Sequence, residues 1–155
     1  MTVASRPVSA SRVEMTEIVM PNDANPLGNV MGGRVMHWVD VCAAVAAGRH
    51  ARTPVVTASV DQIDFHRPVP VGGILVLYAS VNFAGRSSME IGVKVLREDR
   101  ASGERDHVAS AYLTFVSLDP NTCKPREVPR LDLETDEDRR RNTQAQARRE
   151  QRKGS

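Results

Sequence analysis

Asp40 lies within the run Val35-Met36-His37-Trp38-Val39-Asp40-Val41-Cys42-Ala43-Ala44-Val45-Ala46-Ala47, which is otherwise apolar apart from His37. Read as a helix, this run is apolar on nearly every face and is expected to be wrapped by a sheet. A carboxylate buried there is costly unless a partner offsets it, so a chain that keeps one has a use for it. His37 is three residues away and could share its face, and a structural Asp–His or Asp–hydroxyl pair is the alternative use of Asp40. Just upstream, Gly32 and Gly33 open the helix. The first helical turn carries unpaired N–H groups and a partial positive charge, and glycine lets a carbonyl oxygen approach them closely. Such a turn can stabilise an oxyanion in acyl transfer, although glycines also permit tight helix–strand packing. Asp40 follows Gly33 by nearly two helical turns and projects near the same face. Asn25 is held extended or in a turn by Pro26, and its amide can orient water, polarise a carbonyl, or simply close an Asx turn.

The elements that must position these residues can be read in chain order. Residues 1–11 are small and polar and are expected to form a loose arm. Arg12 to Met20 alternates apolar and polar as a strand does, and Pro21 opens the loop. The helix is expected from Val30–Gly33, capped by Asn29, to a C-terminal glycine at Gly48. Val55 to His66 reads as one long strand ended by Arg67-Pro68. Leu75, Leu77, Ala79, Val81 and Phe83 fall on one face of the next strand. Met89, Ile91, Val93 and Val95 do the same after the Gly85-Arg86-Ser87-Ser88 turn, and Val108 to Leu118 closes the set. The last four strands can pair as consecutive antiparallel neighbours. From residue 131 the tail runs acid first and base last, as a helix dipole favours, but has almost no apolar stripe. It is expected to be a solvated, fraying helix passing into disorder.

Composition narrows the function. At 155 residues the chain suits one domain, 12–130, between the arm and the tail. A net charge of +2 argues against nucleic-acid binding by the body. The acidic block beside the tail arginines argues against a nucleic-acid arm. No apolar stretch is long enough for a membrane span or a secretion signal. Two cysteines, Cys42 and Cys123, form neither a disulfide framework nor a metal-ligand spacing. The expectation is a reduced, cytoplasmic protein with no metal and no separate cofactor. A GxSxG nucleophile elbow is absent, which removes a serine hydrolase of the usual kind.

Five stretches then occur in order: Asp23-Ala24-Asn25-Pro26-x-Gly28-x-x-Met31-Gly32-Gly33 with Met36 and Asp40; Phe65-x-Arg67-Pro68-Val69-x-Val71-Gly72; Gly85-Arg86-Ser87-Ser88-Met89-Glu90-Ile91; Phe115-Val116-x-Leu118-Asp119; and Lys124-Pro125-Arg126-x-Val128-Pro129. Together they resemble the acyl-CoA thioesterases of the hotdog fold, in the cytosolic acyl-CoA hydrolase branch, over roughly residues 15 to 129. The resemblance implies an α+β hotdog fold, an antiparallel sheet of about five strands wrapped round one long helix. It implies Asp40 and Asn25 as catalytic residues that meet across a subunit interface, Asn25 from one chain and Asp40 from the other. The carbonyl would rest on Gly32 and Gly33. For the CoA phosphates the resemblance points to Arg67, Arg86, Ser87, Ser88, Lys124 and Arg126. It also implies a dimer-based homo-oligomer, a trimer of dimers, acting on acyl-CoA. A non-catalytic acyl-CoA-binding regulator and a hotdog hydratase or dehydratase are the alternatives. The hydratase pattern places a histidine in the entry loop, and residues 22–33 have none.

Overall fold

The computed structural model describes residues 4–61 and 63–153. The order of elements is β1 (Ser5–Pro7), β2 (Val13–Ile18), α1 (Gly32–Ala51), β3 (Val55–Val60), β4 (Asp64–Phe65), β5 (Ile74–Ala84), β6 (Ser88–Glu98), β7 (Arg105–Ser117), β8 (Arg130–Asp132) and α2 (Asp136–Lys153). The main sheet runs β2-β5-β6-β7-β3, all antiparallel, with β4 also on β7. It curls round α1, which packs on β5, β6, β3, β2 and β7. This is the α+β hotdog architecture expected from the sequence. One pairing differs: β3 does not join the next strand in the chain but lies at the far edge on β7, while β5 pairs with β2.

Alternation explains the inner face. Leu75, Leu77, Ala79 and Val81 of β5 and Met89, Ile91, Val93 and Val95 of β6 are all buried against the helix. Phe83 breaks the expected pattern. A register shift between Val81 and Phe83 sets Phe83 opposite Glu90, so its ring lies on the outer face beneath Arg149. Inserting one residue into one strand re-aims the side chains beyond it. The long strand expected over 55–66 is likewise interrupted: a register shift falls between Thr57 and Ser59, β3 ends at Val60, and Asp64–Phe65 pair with β7 again as β4.

Helix α1 begins at Gly32, within the expected start over Val30–Gly33, but ends later than Gly48 suggests. Met31 is its N-cap, without a side-chain cap, and Asn29 instead belongs to the entry loop. At the other end the helix passes Gly48 and stops at Ala51, with Arg52 left-handed at φ 57°. Burial of Ala47, His50 and Ala51 carries the helix through the glycine. Nor does the chain's own sheet cover every face. Met36, Val41 and Val45 remain exposed on α1, beside the open β3 edge with its exposed Val56 and Val60.

Both chain ends correct the expectation. Of the arm, residues 4–11 are ordered: β1 pairs with β8 in parallel, Val8 is buried, and the buried Ser11 hydroxyl receives the Val81 N–H. The tail helix is docked over its described length. Arg148 donates to both carboxylate oxygens of Glu90 at 2.8 Å, Arg152 donates to Asp61 at 2.6 Å, and Asn142 donates to the Asn82 carbonyl. A helix without an apolar stripe is thus held by polar and cation–π contacts, including Arg148 lying 3.6 Å over the Tyr112 ring. Among the described residues no helix is long and apolar enough to cross a membrane.

Candidate active site

The loop before α1 is a small rigid hairpin. Ala24 bridges Val30, the Asn25 N–H donates to the Asn29 carbonyl at 2.8 Å, and the Met31 N–H donates to the Asp23 carbonyl at 2.9 Å. Gly28 closes the turn on the Asn25 carbonyl with φ 81°, a conformation that favours glycine. The buried Asp23 carboxylate fixes both ends, accepting the Met20 N–H at 2.8 Å and pairing with Arg34 at 3.0 Å. Asn25 and the helix start therefore move as one unit.

Within that unit Asn25 has a defined orientation. Its Oδ1 accepts the Leu27 and Asn29 N–H groups at 3.0 and 3.1 Å, so the Asx turn is real. With the oxygen occupied, the side-chain NH₂ is the part left to act. Asn25 is thus preset as a donor, suited to a carbonyl or water oxygen.

Gly32 and Gly33 are exposed at the first turn of α1. A Cβ on Gly33 would meet nothing within 4 Å, and one on Gly32 would only touch the Phe65 ring at 3.6 Å. Tight packing does not explain these glycines. Open access to the helix N-terminus does.

Asp40 is half-buried on the uncovered face of α1, in place of the fully buried site its neighbours suggested. Its Oδ1 accepts a 2.7 Å hydrogen bond from the Thr57 hydroxyl of β3. His37, also exposed, makes no bond to Asp40, so the Asp–His pair is not formed. Seven residues at about 1.5 Å rise place Asp40 roughly 10 Å along the axis from Gly33. Asn25 and Asp40 share no hydrogen bond within the chain.

Thr57 is a site residue the sequence did not single out. A threonine in a β-branched run reads as ordinary strand, and only β3's position beside α1 gives its hydroxyl a target. Cys42, the nearest thiol in sequence, is fully buried and its pKa is pushed up to about 11, mainly by that burial. It stays protonated and is no nucleophile. Among the described residues no three His, Cys, Asp or Glu converge as a metal would require.

The residues considered for CoA fall into two groups. Arg86, Ser87, Ser88, Lys124 and Arg126 gather at one end of the sheet. There the Ser117 N–H donates to the Ser87 carbonyl, Val128 to Arg86, and Arg126 to Ser117. Lys124 sits in the same loop, its carbonyl accepting the Asp119 N–H. Arg67 is elsewhere, 3.9 Å from Asp106 near the opposite end of β7. At about 3.3 Å per residue, the length of β7 separates the two groups by roughly 30 Å. One chain's Arg67 and Arg86 cannot hold the same phosphate.

Known proteins resemble this chain over most of its length. The family model of the thioesterase superfamily matches residues 27–104. An uncharacterized acyl-CoA thioester hydrolase of Bacillus subtilis, YkhA, is 41% identical over 88% of this chain and 79% of its own length. Among solved structures, an acyl-CoA hydrolase of Staphylococcus aureus, in complex with butyryl coenzyme A, coenzyme A and its disulfide, superposes with a TM-score of 0.91. It is 38% identical, over 97% of this chain and 91% of that one. An apo-hexameric acyl-CoA thioesterase gives a TM-score of 0.93 at 40% identity, over 98% and 97%. Alanine variants of the Staphylococcus aureus enzyme replace an asparagine, an aspartate and a threonine, spaced along that chain as Asn25, Asp40 and Thr57 are here. With its fold, helix start and half-buried carboxylate, this chain belongs to the thioesterase superfamily, among the acyl-CoA thioester hydrolases of the hotdog fold.

Proposed function

We propose that the protein hydrolyses acyl-CoA thioesters to a free acid and CoA, at sites built from two chains. The observation that carries this reading is the Asp40–Thr57 pair on the exposed face of α1, nearly two helical turns from its own chain's open helix start. Asn25 and the Gly32/Gly33 N–H groups form one rigid unit, about 10 Å along the helix from their own chain's Asp40. That unit is therefore supplied to Asp40 by the partner chain. The exposed apolar stripe of α1 and the unpaired β3 edge support a partner of this kind, since a second copy buries both. The hexameric relative supports a trimer of such dimers.

In this site the thioester oxygen accepts the helix-start N–H groups and the Asn25 amide, which strengthen as the oxygen becomes anionic. Asp40 takes a proton from water as the water oxygen bonds to the carbonyl carbon. Thr57 holds Oδ1, leaving Oδ2 for that proton. Collapse of the tetrahedral intermediate breaks the C–S bond, and the proton passes to the departing thiolate. Direct attack by Asp40, through an anhydride, is the other route. Single turnover in heavy-oxygen water tests the second route, because an anhydride opened at the Asp40 carbonyl carries an Asp40 oxygen into the acid, which general-base attack never does. The cluster at Arg86, Ser87, Ser88, Lys124 and Arg126 receives the nucleotide end of CoA, with Arg67 available only from another subunit.

The test is thiol release from acyl-CoAs of graded chain length, comparing wild type with Asp40→Asn and Asn25→Ala. Loss of turnover in both variants, with CoA binding retained, is expected. Undiminished turnover in Asp40→Asn refutes the assignment, and CoA binding without release from any substrate points to a regulator.

A further inference from the structure

The geometry points to a phosphate-binding site formed by Arg149 of the C-terminal helix in the turn that ends β5, an assignment that rests on the acyl-CoA reading for the source of the phosphate. The observation begins with the arginines of α2. Arg139 pairs with Asp136, Arg140 and Arg141 pair with Glu137, Arg148 with Glu90 and Arg152 with Asp61. Among the described residues only Arg149 of this set has no carboxylate. It is half-buried rather than splayed into solvent. A cation withdrawn in part from water without a counter-charge is a standing cost, and an anion removes it.

The surroundings are shaped for that anion. The Arg149 guanidinium lies 5.1 Å from the Phe83 ring centroid, and Nη1 donates to the Ser88 hydroxyl at 3.3 Å. This leaves most of its five donors unused, in the planar arrangement that matches a phosphoryl group. Gly85 makes the seat: a Cβ there would lie 2.7 Å from Nη1 and 3.3 Å from the Ser88 oxygen. Arg86 follows directly, with its side chain 87% exposed and its one ion pair, to Glu127, stretched to 3.7 Å. The register shift that turns Phe83 outward supplies the ring on which Arg149 rests. Arg149 and the Ser88 hydroxyl thus meet with no carboxylate on Arg149, and the loosely paired Arg86 follows in the same turn.

The phosphoryl group belongs either to the nucleotide end of CoA or to a free nucleotide. Calorimetric titration of the full chain with CoA, dephospho-CoA, pantetheine and ADP distinguishes them. Wild type is compared with Arg149→Gln, Arg149→Lys, Gly85→Ala and, as a charge control on the same helix, Arg139→Gln. Wild type is expected to bind CoA more tightly than pantetheine. That ratio should fall about tenfold in Arg149→Gln, the scale of one lost charge-assisted hydrogen bond. Gly85→Ala should do the same by displacing only the tip of a flexible side chain. The lysine variant should lose less, and Arg139→Gln should keep the ratio. If Arg149→Gln loosens α2, seen as a lower melting temperature, Gly85→Ala still carries the test with the other helix anchors intact. Arg149-dependent binding of ADP with unaltered CoA affinity overturns the substrate assignment and gives the site to a free nucleotide. Unaltered affinity of Arg149→Gln and Gly85→Ala for both overturns the site. Because binding is measured without turnover, absence of hydrolysis would count against the thioesterase reading alone.

Discussion

Subunit mixing tests the shared site most directly. Asn25→Ala and Asp40→Asn chains are each expected to be nearly inactive alone. In the proposed dimer each site takes Asn25 and the helix start from one chain and Asp40 with Thr57 from the other. A mixed dimer then contains one site with both defects and one with neither. Random exchange of equal amounts makes half the dimers mixed, so about a quarter of all sites are intact. Turnover per chain should recover to roughly one quarter of wild type, and KM should equal the wild-type value because the restored sites are unaltered. The Ala24–Val30 bridge and the Asn25–Asn29 hydrogen bond tie Asn25 to the helix start, and two helical turns separate that start from Asp40. The assay is chromogenic thiol release from a mixture whose exchange is verified by native mass spectrometry. If both residues served the same chain, every pairing would keep its defect. Exchange without a rise above the parental mean would refute the shared site.

Three further outcomes follow from individual contacts. Thr57→Val removes the hydroxyl that holds Asp40 Oδ1 and should lower kcat roughly tenfold to a hundredfold, with Thr57→Ser restoring most of it; an unchanged kcat would show that the bond is idle. Arg148→Met leaves the buried Glu90 carboxylate with Asn82 as its hydrogen-bond partner and should cost about 3 kcal/mol in urea unfolding, largely regained with Glu90→Gln, whereas a loss under about 1 kcal/mol would mean that the helix is not anchored there. His50 is fully buried with Nδ1 unpartnered and Nε2 on the Pro129 carbonyl; burial lowers its pKa, Arg6 adding to the effect against the opposing Pro129 bond and Asp132. The unfolded chain then takes up the extra proton, so stability is full above about pH 6.5 and falls as pH drops below it. Melting temperatures at pH 7.5 and 5.5 should diverge more for wild type than for His50→Gln, and equal shifts would refute this.

Much of the frame is legible in the sequence because it rests on strong local periodicities. The inward faces of β5 and β6, the long helix and the glycine start all follow from alternation and composition. What escaped detection depends on contacts distant in sequence. Thr57 looks like any β-branched strand residue until β3 is placed against α1. The outward turn of Phe83 needs a register shift that leaves no mark in the residue types. The tail carries almost no apolar stripe, the mark by which a docked helix shows itself in sequence. Its anchors are instead an arginine on a buried glutamate and an arginine over a tyrosine ring. The extension of α1 past Gly48 has the same cause: burial of His50 and Ala51 outweighs the roughly 1 kcal/mol preference against a helical glycine.

Asp40 shows how assembly and chemistry are linked in this chain. In the isolated fold its carboxylate shares a face with exposed Met36 and stands near Val41, open to water that would weaken any field acting on the substrate. In the proposed dimer a second copy covers this face, excludes that water and delivers its own helix start to the same place. Val35, Val39, Cys42, Ala43, Ala46 and Ala47 are buried in the chain's own core, and Met36, Val41 and Val45 are the apolar residues of α1 left for the proposed interface to cover. Disrupting the stripe with Val45→Glu, a residue away from the Asp40–Thr57 pair, should yield a folded monomer that has lost thiol release. A monomer of undiminished activity would separate catalysis from assembly and remove the physical reason for placing Asp40 where it is.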